Sequence, residues 1–262
     1  MNNRLTQKIK TVKRKKLFCA YLTLGFPNLS TTEKAILALE EAGADVIELG
    51  IPFSDPLADG PTIQFASSEA IRRGVHLKDA FRLIQSLRRK GLQAAVLFFS
   101  YVNPILNRGV SRVAKELKQS GFDGLIIPDL PPEEGKAWEK EFKKNHLSLV
   151  YLIAPTTRAR RAREIAARSS DFIYYVSLRG VTGARRKLPA DLIKKLRSLK
   201  KMTKKPVLVG FGVSKPEQAQ AIAKVADGII VGSAIVQYLK KGEKAIPALR
   251  SYVSRLIRAM KK

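Results

Sequence analysis

A chain of 262 residues with 45% hydrophobic content is long enough for one large α/β domain and supplies ample core. Its 49 Lys and Arg against 22 Asp and Glu give a net charge of +27, which suggests nucleic acid, an anionic membrane or a phosphorylated ligand as partner. The single cysteine, Cys19, excludes an intramolecular disulfide, and no run of about 18 apolar residues is present to span a membrane, so a cytoplasmic protein is expected.

The first 16 positions carry seven basic and no acidic residues, without the continuous apolar stretch of a signal peptide, and lead into an expected strand, "LFCAYLTLG" (17 to 25). Cys19 reads there as a small core hydrophobe. An amphipathic helix over 31 to 43 follows, then "DVIELGI" (45 to 51), which places Glu48 inside a strand. Carboxylates are almost never fully buried without a partner or a task. A helix over 76 to 91 precedes "AAVLFFSY" (94 to 101), and one over 111 to 121 precedes "FDGLIIPDL" (122 to 130). "LSLVYLIAP" (147 to 155), "DFIYYVSL" (171 to 178), "PVLVGFG" (206 to 212) and "DGIIVGSA" (227 to 234) complete the series. Basic residues recur in 157 to 168 and 194 to 205. In the second tract Leu192, Leu196 and Leu199 keep helical spacing, so the lysines cover a solvated face.

Strands apolar on both faces belong to a parallel sheet covered by helices. Eight of them alternating with helices, at the roughly thirty-residue spacing of a βα pair, predict a single (β/α)8 TIM barrel over residues 1–262, with a short extra helix after strand 8. In such a barrel chemistry sits where strands end and loops begin. Glu48 near the end of strand 2, Asp59 in the following loop and Asp129 at the end of strand 4 therefore form one constellation. The glycine-rich exits of strands 6, 7 and 8, with Gly183, Gly210, Gly212, Gly232 and Ser233, would gather backbone N–H groups into a phosphate site.

What is missing narrows the reaction. No lysine lies within any expected strand, which disfavours a Schiff-base aldolase. His76 opens a helix and His146 lies in a helix-to-strand turn, and neither joins a metal-ligand set. A metal-free barrel that binds phosphate and uses carboxylates as acid and base is expected.

"ELGIPFSDPLADGP" (48 to 61), "GVTGAR" (180 to 185), "VGFGVSKPEQA" (209 to 219) and "ADGIIVGSAIV" (226 to 236) closely resemble the tryptophan synthase α subunit family. "YLTLGFP" (21 to 27), "SYVNPIL" (100 to 106) and "IIPDLPPEE" (126 to 134) match in the same order. The resemblance implies a lyase of tryptophan biosynthesis that cleaves indole-3-glycerol phosphate by a retro-aldol reaction. Glu48 would shuttle protons between the hydroxyl and indole C3, and Asp59 would hold the indole N–H. Tyr21, Ile63, Phe99, Ile126, Tyr174, Phe211 and Ile230 would wall the indole pocket. Gly183, Gly212, Gly232 and Ser233 would hold the phosphate, and Thr182 would sit on a closing lid.

The resemblance also implies a β subunit partner in an α2β2 heterotetramer. Asp55, Pro56, Asn103 and Pro104 resemble docking elements, and pyridoxal phosphate would belong to β, with no cofactor in this chain. A charge of +27 is unusual for the family. The basic tracts lack interleaved aromatics, so a nucleic-acid role is not expected. A stand-alone indole-releasing lyase and a non-catalytic barrel that activates β are the alternative readings.

Overall fold

The computed structural model describes residues 3–13, 15–176, 190–210 and 212–261. Nine parallel strands form one sheet: β1 (Leu17–Thr23), β2 (Val46–Gly50), β3 (Ala95–Phe99), β4 (Gly124–Ile126), β5 (Ser148–Val150), β6 (Leu152–Ile153), β7 (Ile173–Val176), β8 (Val207–Gly210) and β9 (Gly228–Val231). Their order, β5-β4-β3-β2-β1-β9-β8-β7-β6, runs once around a barrel. Eight strands were expected, and the ninth arises because the fifth is split at Tyr151. The Tyr151 N–H donates to Ser169 Oγ at 3.0 Å instead of joining the ladder. The halves on either side pair with different neighbours, β5 with β4 and β6 with β7, so the fifth strand carries the closure.

The helices are α1 (Arg4–Lys10), α2 (Leu29–Glu41), α3 (Pro61–Arg72), α4 (Leu77–Arg89), α5 (Val102–Arg108) and α6 (Val110–Ser120). After them come α7 (Pro132–Lys144), α8 (Ala159–Arg168), α9 (Ala190–Met202), α10 (Pro216–Ala223), α11 (Ser233–Leu239) and α12 (Ile246–Ala259). Helix α11 is the expected short helix after the last strand. Each long helix buries one stripe: on α4 it is Ala80, Phe81, Leu83, Ile84 and Leu87. Phe81 stacks on Phe98 of β3 with centroids 6.2 Å apart, and Phe122 closes the cluster edge-on to both. On α9 the buried stripe is Leu192, Leu196 and Leu199, with Lys194, Arg197, Lys200 and Lys201 exposed opposite, as the spacing predicted.

Some of the cations pin the N-terminal ends of the strands. Asp45, Asp123 and Asp227 each stand just before a strand, and each accepts the backbone N–H of a neighbouring strand, from Phe18, Val96 and Val207 respectively. Each of these buried or half-buried carboxylates is then matched by a cation: Lys15, Arg88 and Lys200. Helix α1, which no sequence signal announced, sits on this end. Asn3 caps it through Thr6 N–H and donates to the Asp123 carbonyl at 2.9 Å and Ser148 Oγ at 3.2 Å. Its Leu5 is fully buried.

Candidate active site

The strands end around a cavity of about 660 Å³. Ten of the predicted site residues line it: Tyr21, Asp59, Ile63, Phe99, Tyr174, Gly210, Gly212, Ile230, Gly232 and Ser233. Their convergence follows from strand alternation. Residues two apart share a face, and parallel pairing puts Tyr21 of β1 beside Glu48 of β2, and Leu152 of β6 beside Tyr174 of β7. Tyr21 and Phe99 meet edge to face, centroids 5.4 Å apart. Room for the two tyrosines comes from glycine: a Cβ on Gly50 would stand 2.1 Å from the Tyr21 hydroxyl oxygen, and one on Gly210 would stand 2.9 Å from the Tyr174 ring. Gly210 is expected from the sequence to serve phosphate; what the structure shows for it is this steric task.

Glu48 lies under the cavity rather than in its wall. Its side chain is 0% exposed, Oε1 accepts from the Cys19 thiol at 3.1 Å, and Oε2 has no partner among the described residues. Burial pushes its carboxyl up to about 8, with the thiol pulling the other way. Asp59 opens onto the cavity from the loop between β2 and α3. Burial raises it to about 6, against a hydrogen bond with Tyr101. Burial likewise raises the Tyr21 and Tyr174 hydroxyls well above the usual phenol range. Burial thus raises Glu48 further than Asp59, which favours Glu48 as the carboxyl that keeps its proton and Asp59 as the one that ionises. Environments that separate the proton affinities of two like groups are how one site holds an acid and an anion together.

Gly212 adopts φ +59°, open to glycine and strained for other residues, and Gly232 precedes the first turn of α11. Both line the same end of the cavity with Ser233 and Ala234. The backbone N–H groups of a first helical turn have no intrahelical acceptor, so they are free to meet an anion there.

Several expected residues stand elsewhere. Ile126 is fully buried in the β4 core and does not line the cavity, because β4 is short and Pro128 takes the wall position beyond it. Asp129 is exposed, and its Oδ1 accepts the Val102 N–H at 2.9 Å, opening α5 rather than joining the site. Thr182, Gly183 and Phe211 lie outside the described residues. Asp55 and Asn103 are exposed and Pro56 and Pro104 half-buried, beside Leu57 at 93% and Leu106 at 52% exposure. His76 caps α4, its N–H donating to Asp79 Oδ2 at 2.8 Å, and His146 takes φ 58° in the turn after α7. Among the described residues no group of three His, Cys, Asp or Glu could hold a metal ion.

Two participants went unread. Tyr101 falls at the end of an apolar run, yet its hydroxyl accepts the Ala58 N–H at 3.1 Å and so ties the Asp59 loop to the start of α5. That meeting is long-range and has no local signature. Cys19 has the sequence context of a small core hydrophobe; its place two residues before Tyr21, on the same face, is the signal that sets it beside Glu48.

The model of one protein family, "Tryptophan synthase alpha chain", matches residues 7–262. A relative of that name from Citrifermentans bemidjiense is 42% identical over 258 residues, covering 97% of this chain and 96% of the relative. Another, from Dehalococcoides mccartyi, is 46% identical over 228 residues, covering 87% and 89%. Among solved structures, Mycobacterium tuberculosis tryptophan synthase superposes with a TM-score of 0.91 at 34% identity over the full length of both chains. Tryptophan synthase subunit alpha from Legionella pneumophila gives 0.91 at 33% identity, covering 100% and 99%.

Proposed function

The chain belongs to the tryptophan synthase alpha chain family, and on that premise we propose that Glu48 and Asp59 are the catalytic carboxyls of its reaction, Glu48 moving the protons and Asp59 stabilising the charge. The protein is a carbon–carbon lyase that cleaves indole-3-glycerol phosphate to indole and glyceraldehyde 3-phosphate. The observation that carries the residue assignment is the placement of the two carboxyls, Glu48 fully buried on β2 and Asp59 on the cavity wall, which splits their proton affinities, raising Glu48 to about 8 and Asp59 to about 6.

The chemistry requires that split. Cleavage needs a proton on indole C3 to turn the ring into an electron sink, and Glu48 holds one at neutral pH. The positive charge that develops on the indole N–H is stabilised by the Asp59 carboxylate, a preorganised acceptor. Having given its proton, Glu48 is a carboxylate and takes the proton of the glycerol hydroxyl next to the scissile bond. The C–C electrons return to the ring, the hydroxyl carbon becomes the aldehyde, and Glu48 ends protonated. Tyr21, Phe99 and Tyr174 supply flat apolar walls for the indole, with Ile63 and Ile230. The backbone at Gly212, Gly232 and Ser233 is assigned to the phosphate, with Gly183, and Thr182 and Phe211 to the lid and pocket. Ile126 supports the pocket from the core.

A tryptophan synthase β subunit is the partner, and an α2β2 assembly with pyridoxal phosphate in β is proposed. The exposed Leu57 and Leu106, beside Asp55, Pro56, Asn103 and Pro104, supply apolar area for that docking. No helix among the described residues is long and apolar enough to cross a membrane, and a cytoplasmic location is proposed.

The test is indole release from indole-3-glycerol phosphate by the purified protein, alone and with a β subunit, with Asp59→Asn as the blank. Slow release that β accelerates is expected. Fast release unaffected by β would indicate a stand-alone lyase, and no release in either condition a non-catalytic activator.

A further inference from the structure

Glu48 is a carboxyl group with no ion-pair partner among the described residues and with one side-chain hydrogen bond, from Cys19 Sγ to Oε1 at 3.1 Å. Thiol and carboxyl are both 0% exposed. The titratable groups around them are Tyr21 on β1 and Tyr174 on β7, with Asp45 and Asp59, and none of these is a cation. Oε2 is fully buried and has no partner among the described residues. A buried free cysteine fills volume as a small hydrophobe and adds a weak S–H donor, which valine and alanine lack.

We infer that Cys19 is a positioning residue for the cleavage reaction: its S–H engages Glu48 Oε1, leaves Oε2 as the oxygen that carries the exchangeable proton, and sets the pH range over which that proton is held. The inference rests on the reading of Glu48 as the acid–base group. The direction of the effect follows from the donor. A hydrogen bond donated to a carboxylate favours the ionised form and opposes the upward push of burial. Removing the S–H therefore raises the proton affinity of Glu48, and a stronger donor lowers it. The limb of the pH–rate profile that Glu48 governs moves to higher pH on loss of the thiol, whichever protonation state the slow step requires.

The experiment compares wild type, Cys19→Val, which keeps bulk without a donor, and Cys19→Ser, which keeps a donor, with Cys19→Ala replacing the valine form if its melting temperature collapses. Two quantities are read: the titration midpoint of the Glu48 carboxyl by carbon-13 NMR of glutamate-labelled protein, its signal identified by Glu48→Gln, and the pH profile of kcat for indole release. In Cys19→Val both are expected to shift upward by about half to one pH unit, the scale of one weak charge-assisted hydrogen bond. KM is expected to stay within about twofold, since the thiol lies under the cavity and touches no substrate. Cys19→Ser is expected to stay at the wild-type midpoint or fall below it. An unmoved midpoint in Cys19→Val, or a serine form that follows the valine form, would overturn the role of Cys19 while leaving indole release intact. A shifted midpoint with no indole release by any form would overturn the reading of the reaction on which the inference rests.

Discussion

Gly50 and the Tyr21 hydroxyl compete for one volume: a Cβ on Gly50 would stand 2.1 Å from that oxygen, on the adjacent strand of the barrel. The absence of a side chain on β2 therefore determines where an aromatic wall of the cavity lies. Gly50→Ala is expected to tilt Tyr21 off its place beside Phe99, at a cost of about 1–3 kcal/mol in stability, the usual range for overpacking. Denaturant unfolding together with the KM for indole-3-glycerol phosphate checks it. Wild-type values for both would mean the ring yields without consequence.

Glu48→Gln is expected to lower kcat by at least about 100-fold, the usual contribution of a positioned acid–base group, while phosphate binding stays near wild type. Titration with inorganic phosphate or glyceraldehyde 3-phosphate, followed calorimetrically, separates the two effects. Loss of phosphate affinity along with activity would indicate a misfolded barrel instead of a missing proton carrier.

The same substitution carries a pH signature in stability. The Glu48 carboxyl is raised from its ordinary 4.5 to about 8 in the fold, so the native state holds a proton that the unfolded chain releases. Its contribution is complete below about pH 4.5 and is lost as the pH rises through about 8, by up to roughly 5 kcal/mol. Glutamine does not titrate. Urea unfolding at pH 5 and pH 8.5 is expected to show Glu48→Gln gaining on wild type at the higher pH, and parallel behaviour at the two pH values would refute the assigned burial effect.

Asp59 is raised to about 6, so its ionised fraction grows across that pH. Because the carboxylate is the form that holds the indole N–H, kcat/KM is expected to climb as the pH passes upward through about 6. Asp59→Asn is expected to lose roughly 100-fold or more, as removal of one preorganised transition-state partner does. Its residual activity should show no limb at that pH, and a retained limb would assign it to another group.

Tyr101→Phe removes the acceptor of the Ala58 N–H and the hydrogen-bond partner of Asp59. The stability cost is expected near 1 kcal/mol, the net worth of one hydrogen bond. The effect on kcat/KM should be larger, about tenfold, because the loop that carries Asp59 loses its tie to α5. A loss in Tm with unchanged kinetics would confine Tyr101 to a structural role.

Much of this was legible in one dimension. Apolar runs at βα spacing announced the barrel, since strands covered on both faces must be hydrophobic throughout. A carboxylate inside one of those runs marked Glu48 as needing a task, and glycines at successive strand exits marked the cavity end that α11 begins. Helix α1 was not legible, because its partners, Asp123 and Ser148, are more than a hundred residues away. The split fifth strand was not either, since it depends on a single hydroxyl, Ser169, capturing the Tyr151 N–H.

The residue types and their periodicity by themselves determined the architecture and the ends of the strands where chemistry sits, and left three candidate carboxylates there, Glu48, Asp59 and Asp129. Only the tertiary structure decided that Asp129 opens a helix while Asp59 faces the cavity, and that Glu48 lies beneath the wall with a thiol for its hydrogen-bond donor. The reason is physical: burial pattern is written along a strand with a period of two, whereas proton affinity depends on desolvation and on neighbours brought in from other strands.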